Sequence, residues 1–182
     1  MISLLKKISV LAIAAFVAMA ASAQVKPGVE TLRDGGFEQL KGKRVGLITN
    51  PSGVDNNLVS TIDIIANAPG VELKALYSPE HGVRGDIPAG EKVDTYTDAA
   101  TGVTVYSLYG KNKKPSAEML KDVDVLVYDI QDNGCRSFTF ISTMGLCMEA
   151  CAENGKEFMV LDRPNPLSGL KVEGNLVEDG FY

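Results

Sequence analysis

The chain has 182 residues, a formal net charge of −5 at pH 7 and a single histidine. That acidic balance argues against nucleic acid or an anionic membrane surface as a partner. With 45% hydrophobic residues, the chain has enough apolar material for one packed domain with a real core.

Residues 1–23 read as a cleavable export signal. Lys6 and Lys7 make a short positive segment, an apolar run follows from Ile8 to about Ala20, and Ala21-Ser22-Ala23-Gln24 places small residues where signal peptidase cuts. The run is shorter than the ~20 residues a membrane span needs. The pattern therefore predicts a periplasmic or secreted protein with no stable membrane insertion after cleavage, and one domain over residues 24–182. No cysteine follows the small residues, so no lipid anchor is expected.

Five short apolar runs then predict strands: 44–49 (RVGLIT), 71–77 (VELKALY), 103–107 (VTVYS), 124–129 (DVLVYD) and 157–161 (EFMVL). Several are almost continuous in Val, Ile and Leu, as strands covered on both faces are. Helical spacing lies between them. Residues 58–66 carry Leu58, Ile62 and Ile65 on one side, 116–121 suit a short helical turn, and 138–154 carry Phe138, Ile141, Met148 and Cys151 or Ala152 before a stop at Gly155. The alternation predicts an α/β fold: a Rossmann-like, mostly parallel sheet with helices on both faces. The three cysteines, Cys135, Cys147 and Cys151, form no regular framework. Cys147 and Cys151, four apart, read as small buried residues rather than a bridge.

Four polar loops rich in glycine or proline follow strand ends, at 50–55, 78–86, 131–136 and 162–166. Ligands of open parallel sheets bind outside those ends, so the loops should gather into one site. Several chemistries are excluded. There is no G-x-x-x-x-G-K-S/T phosphate loop, no G-x-G-x-x-G after the first strand, no G-x-S-x-G elbow to pair with His81, and no metal-ligand spacing. Neither a metal nor an organic cofactor is called for. Carboxylates remain, and glycoside hydrolysis uses an acid that protonates the leaving oxygen, usually with a second carboxylate. Glu80 is the choice for the acid: Pro79 stiffens its backbone, and His81 beside it could donate to a sugar or orient a carboxylate. Asp129 and Asp132 are the candidate partners, although Asp129 reads equally as a cap of the turn that follows. Arg84, Arg136 and Arg163 could each hold an anionic group. Asp162 and Arg163, set beside two prolines, could simply pair with each other, and Asn50-Pro51-Ser52-Gly53 is a turn signal before it is a ligand loop.

Six segments go further: GLITNPSGVD (46–55), SPEHGVRGD (78–86), AGEKV (89–93), TGVTVYSLYG (101–110), DVLVYDIQDNGCRSFTFISTM (124–144) and VLDRPNPLSG (160–169). In this order, over roughly residues 28–182, they resemble the bacterial family of NamZ-like exo-β-N-acetylmuramidases. The resemblance implies a Rossmann-like amino-terminal domain, followed in family members by a smaller carboxy-terminal domain with a cleft between them. It implies release of terminal N-acetylmuramic acid from the non-reducing end of peptidoglycan fragments during cell-wall turnover, so that the partner is a muropeptide or related sugar. The S-P-E-H-G match makes Glu80 the catalytic acid, with His81 and Asp129 as its catalytic neighbours. Asn50, Arg84, Asp86, Gln131, Asp132, Arg136, Asp162, Arg163 and Asn165 would meet the substrate, an arginine among them binding the lactyl carboxylate. Asn133 and Cys135 depart from the family's pattern. Family members are longer, so the chain corresponds to the amino-terminal part, which would fold but lack activity if the other domain completes the cleft. Two rivals are a non-catalytic cell-wall sugar-binding module on the same edge and, on fold analogy alone, a nucleotide binder.

Overall fold

The computed structural model describes residues 25–88, 91, 94–110 and 112–180; the expected export signal lies outside them. The elements in chain order are α1 (Gly28–Asp34), β1 (Arg44–Thr49), α2 (Thr61–Ala66), β2 (Glu72–Ser78), β3 (Tyr96–Thr97), β4 (Thr104–Ser107), α3 (Ala117–Leu120), β5 (Val125–Asp129), α4 (Phe140–Glu153) and β6 (Glu157–Val160). One mixed sheet has the order β3-β4-β2-β1-β5-β6. All pairings are parallel except β3 with β4. From β1 the chain first winds outward through β2 to β4, then crosses back to lay β5 on the other side of β1. That reversal is the switch point of a doubly wound sheet.

The continuous apolar strands are buried on both faces, as their composition requires. Alternate residues feed two separate cores. Val45, Leu47, Leu76, Val125 and Val127 pack with Val29 and Leu32 of α1 and Ile62 and Ile65 of α2. Ile48, Tyr77, Leu126 and Tyr128 pack with Leu120 of α3 and Cys147, Ala150 and Cys151 of α4. Helices thus cover both faces, as expected, and the four-apart cysteines are small buried residues without a bridge. Burial pushes their thiols up, Cys147 to about 12 and Cys151 to about 11.

Three local expectations change. Helix α2 begins at Thr61 rather than Leu58, because Ser60 caps it by accepting from the Ile62 amide. Leu58 instead stands 80% exposed in a turn organised by Asp55, whose side chain accepts from the amides of Asn57 and Val59. The helix expected from 138 begins at Phe140; Phe138 before it and Ile141 and Met148 on it are about half exposed, and the neighbouring stripe of Cys147, Ala150 and Cys151 is buried. The covered sheet face carries bulky Leu126, Tyr128 and Phe158, and small side chains let the helix approach it closely. Finally, α1 and the two-residue β3 were not foreseen. Helix α1 docks on the end of β6, where the Gly28 amide donates to the Asp162 carbonyl at 2.7 Å. A Cβ at Gly28 would lie 2.5 Å from the Asp162 nitrogen, so only glycine permits this approach.

At the opposite edge of the sheet, Asp124 precedes β5 and accepts from the Arg44 amide, Nε and Nη2 at 2.9, 3.1 and 2.7 Å. These bonds hold its carboxyl down at about 2. A carboxyl depressed in the folded state stabilises above its unfolded value of about 4, and the contribution disappears as pH falls through the folded value. The stability advantage of the wild type over Asp124→Asn, read from urea melts, is therefore expected to be constant above about pH 4 and to vanish near pH 2. An advantage that persists unchanged at pH 2 would contradict this account.

Candidate active site

The four loops do gather at the carboxyl edge of the sheet, but their residues divide into two groups. One group builds the floor. Asp129, the last residue of β5, has no exposed surface. Arg163 donates to its two oxygens from Nε at 2.6 Å and Nη2 at 2.9 Å, and the Thr61 hydroxyl donates to Oδ2. The same Nη2 reaches the Val54 carbonyl at 2.8 Å, and the Thr49 hydroxyl donates to the Asp129 carbonyl at 2.8 Å. Gly53 closes over this cluster, and a Cβ there would stand 2.1 Å from the Thr49 hydroxyl. The crevice between β1 and β5, where a doubly wound sheet offers its ligand slot, is thus filled by the protein's own ion pair.

This corrects two expectations. Arg163 pairs with Asp129 and not with Asp162, whose side chain is exposed and whose carbonyl holds α1. Asp129 has no free oxygen to offer a substrate, and it positions Arg163 and the loop after β6. Arg84 is committed in the same way. Its guanidinium grips the buried Asp98 at 2.6 and 3.0 Å and Asp63 at 2.8 Å. Asp98, which also accepts from the Thr101 amide and hydroxyl, is held below the usual carboxylate range by Arg84 first. Arg84 therefore staples the loop after β2 to α2 and to the turn before β4.

Other loop residues lock turns. The Asn50 side-chain oxygen accepts from the Ser52 amide at 2.9 Å and from its hydroxyl, so the turn reading of 50–53 holds. The Gln131 side chain donates to the carbonyls of Asp132, at 2.7 Å, and Pro164, at 3.0 Å, joining the loops after β5 and β6. Asp132 accepts from the Gly134 amide at 2.6 Å, and Asn165 from the Leu167 amide at 2.8 Å.

The second group remains available. Glu80 is half-buried just past β2, His81 and Asp86 are exposed, and Asp132 is half-buried. Arg136 is exposed, with no ion pair to any described residue. His81 has φ 76° and is followed by Gly82 at φ 79°. A left-handed non-glycine residue of this kind costs roughly 1–3 kcal/mol and is kept where the surroundings impose it. Here Gly82 is buried against Asp86 and Ile87, which turns the chain sharply away once Glu80 has been presented. Tyr109 stands near enough to Glu80 for hydrogen bonding to the carboxylate, and then the carboxylate's charge, to raise its phenol. Tyr109 was missed in the sequence. Its signal was its place two residues past β4, matching the place of Glu80 two residues past β2. Between the ends of β2 and β5 stands only β1, so two strand spacings leave about 10 Å between their backbones, room for a sugar ring.

Comparison with known proteins bears on this edge. The family described as "Exo-beta-N-acetylmuramidase NamZ, N-terminal" matches residues 45–182. The peptidoglycan β-N-acetylmuramidase NamZ of Bacillus subtilis (strain 168) is 56% identical over 158 residues, covering 87% of this chain and 38% of that protein. A crystal structure of a DUF1343 family protein from Bacteroides fragilis NCTC 9343 superposes with a TM-score of 0.78 at 68% identity, covering 85% of this chain and 38% of that one. A second such protein from the same strain gives a TM-score of 0.66 at 36% identity, covering 79% of this chain and 36% of that one. The chain thus spans less than two fifths of the length of these relatives. Over that span the likeness is continuous in sequence and in fold, and the chain belongs to the family of the NamZ exo-β-N-acetylmuramidase amino-terminal domain.

Proposed function

We propose that the protein is an exported glycosidase that removes terminal β-linked N-acetylmuramic acid from peptidoglycan fragments, with Glu80 as general acid. The observation that supports it most is the placement of Glu80. Among the candidate carboxylates it alone combines a strand-end position, partial burial and a phenol donor, while Asp129 is sealed in an ion pair. Asp132 is then the second carboxylate, across the gap from Glu80. Arg136 is the anion site for the lactyl carboxylate, because Arg84 and Arg163 are already neutralised by aspartates. The similarity to a peptidoglycan β-N-acetylmuramidase supports the same substrate class. The residue 1–23 signal would deliver the enzyme to the compartment where such fragments occur. No metal or organic cofactor enters this reaction.

The test is hydrolysis of a chromogenic β-N-acetylmuramide and of a muropeptide by the full gene product. Release of N-acetylmuramic acid from the non-reducing end is expected. Binding of the muropeptide without release would favour a sugar-binding module and end the enzymatic reading.

A further inference from the structure

We propose that Tyr109 is a positioning residue for Glu80, its hydroxyl fixing the carboxyl from the neighbouring strand end. The inference rests on the reading of Glu80 as the acid. It comes from register. Strands β2 and β4 are parallel, with Ser78 opposite Ser107 as their last pair. The Leu108 amide donates to the Ser78 carbonyl at 2.8 Å, carrying the pairing one residue further. Strand β2 ends at Ser78 and β4 at Ser107, so the pairing goes no further. The next residues on the two chains are Glu80 and Tyr109, side by side and released from the sheet.

Both strand ends are fastened locally. The Ser78 hydroxyl donates to the Pro79 carbonyl at 2.9 Å, and the Tyr109 amide donates to the Ser107 hydroxyl at 3.3 Å. Tyr109, His81 and Tyr96 line one small recess of about 10 Å³ beside Glu80. A space of that size holds about one water, and the recess is therefore too small to hold a sugar ring. The ionisable groups facing it are His81, Glu91, Tyr96 and Tyr109, with the Asp86 charge acting on Tyr96. A carboxyl that is held by a phenol hydrogen loses rotamer freedom.

Two measurements on the full gene product test this. In the first, ¹³C-labelled tyrosine is titrated in the wild type and in Glu80→Gln. The Tyr109 phenol is expected to titrate above the ordinary value of about 10 in the wild type and to move back towards it in the variant. In the second, Tyr109→Phe, which keeps the ring and its packing, is expected to lower kcat about tenfold with KM changed less than about twofold. A phenol midpoint that ignores Glu80→Gln would overturn the inference. So would a KM effect at unchanged kcat, which would make Tyr109 a substrate contact. If Glu80→Gln keeps full turnover but the phenol still moves, the pairing stands and the reading of Glu80 as acid fails. If Glu80→Gln is inactive and the phenol does not move, the positioning inference fails alone.

Discussion

Glu80→Gln is expected to reduce kcat on a muropeptide by about 10²- to 10⁴-fold, the range lost when a general acid is removed. Glutamine keeps the shape, and its amide oxygen can still accept from Tyr109, so the fold and the substrate site should survive. What is lost is the proton for the leaving oxygen. A sugar leaving group needs that proton, whereas a nitrophenolate departs with little help. The loss is therefore expected to be much smaller on an aryl β-N-acetylmuramide than on the muropeptide. An equal, large loss on both substrates would make Glu80 the nucleophile rather than the acid. Unchanged rates on both would remove it from the chemistry.

The largest stability effect is expected at the floor of the site. Arg163→Ala leaves the Asp129 carboxylate fully buried with only the Thr61 hydroxyl and no countercharge. Breaking a buried pair from one side costs about 3–5 kcal/mol, a large part of the total stability of a small domain. Asp129→Leu is expected to be comparably damaging, since it strands a guanidinium that is 7% exposed. The double variant, with Arg163→Met and Asp129→Leu, should be less destabilised than either single change, because no uncompensated charge remains. Urea unfolding midpoints decide the matter. Single-variant losses below about 1 kcal/mol would show that water reaches the pair and screens it.

The sheet was legible in the sequence above all through β1 and β5, which are buried along almost their whole length, and such burial leaves a run of branched apolar residues that needs no partner to be recognised. The shorter elements left weaker marks. A two-residue β3 has no period, and seven-residue α1 offers only Val29 and Leu32 at helical spacing. For α4 the sequence carried two apolar stripes, and the choice between them was made by Tyr128 and Phe158 on the sheet, remote in sequence. The charged residues show the same limit more sharply. Composition supplies carboxylates and guanidinium groups but not who meets whom. Asp129 and Arg163 are 34 residues apart, and Arg84 reaches Asp98 and Asp63 from 14 and 21 residues away. Two arginines that looked equally fit for an anion are thereby spent inside the fold. Glu80 stayed available because β2 ends at Ser78, in the Ser-Pro step that the sequence already reads as the start of a loop.

The ion pair filling the space between β1 and β5 has a consequence for inhibitor design. On other proteins of this topology, that slot is where adenine- and phosphate-bearing scaffolds find purchase. Here such a scaffold would have to evict a desolvated guanidinium–carboxylate contact before gaining any of its own. On the proposed reading, screening effort is better directed to charged sugar mimics aimed at Glu80 and Arg136 from the open edge.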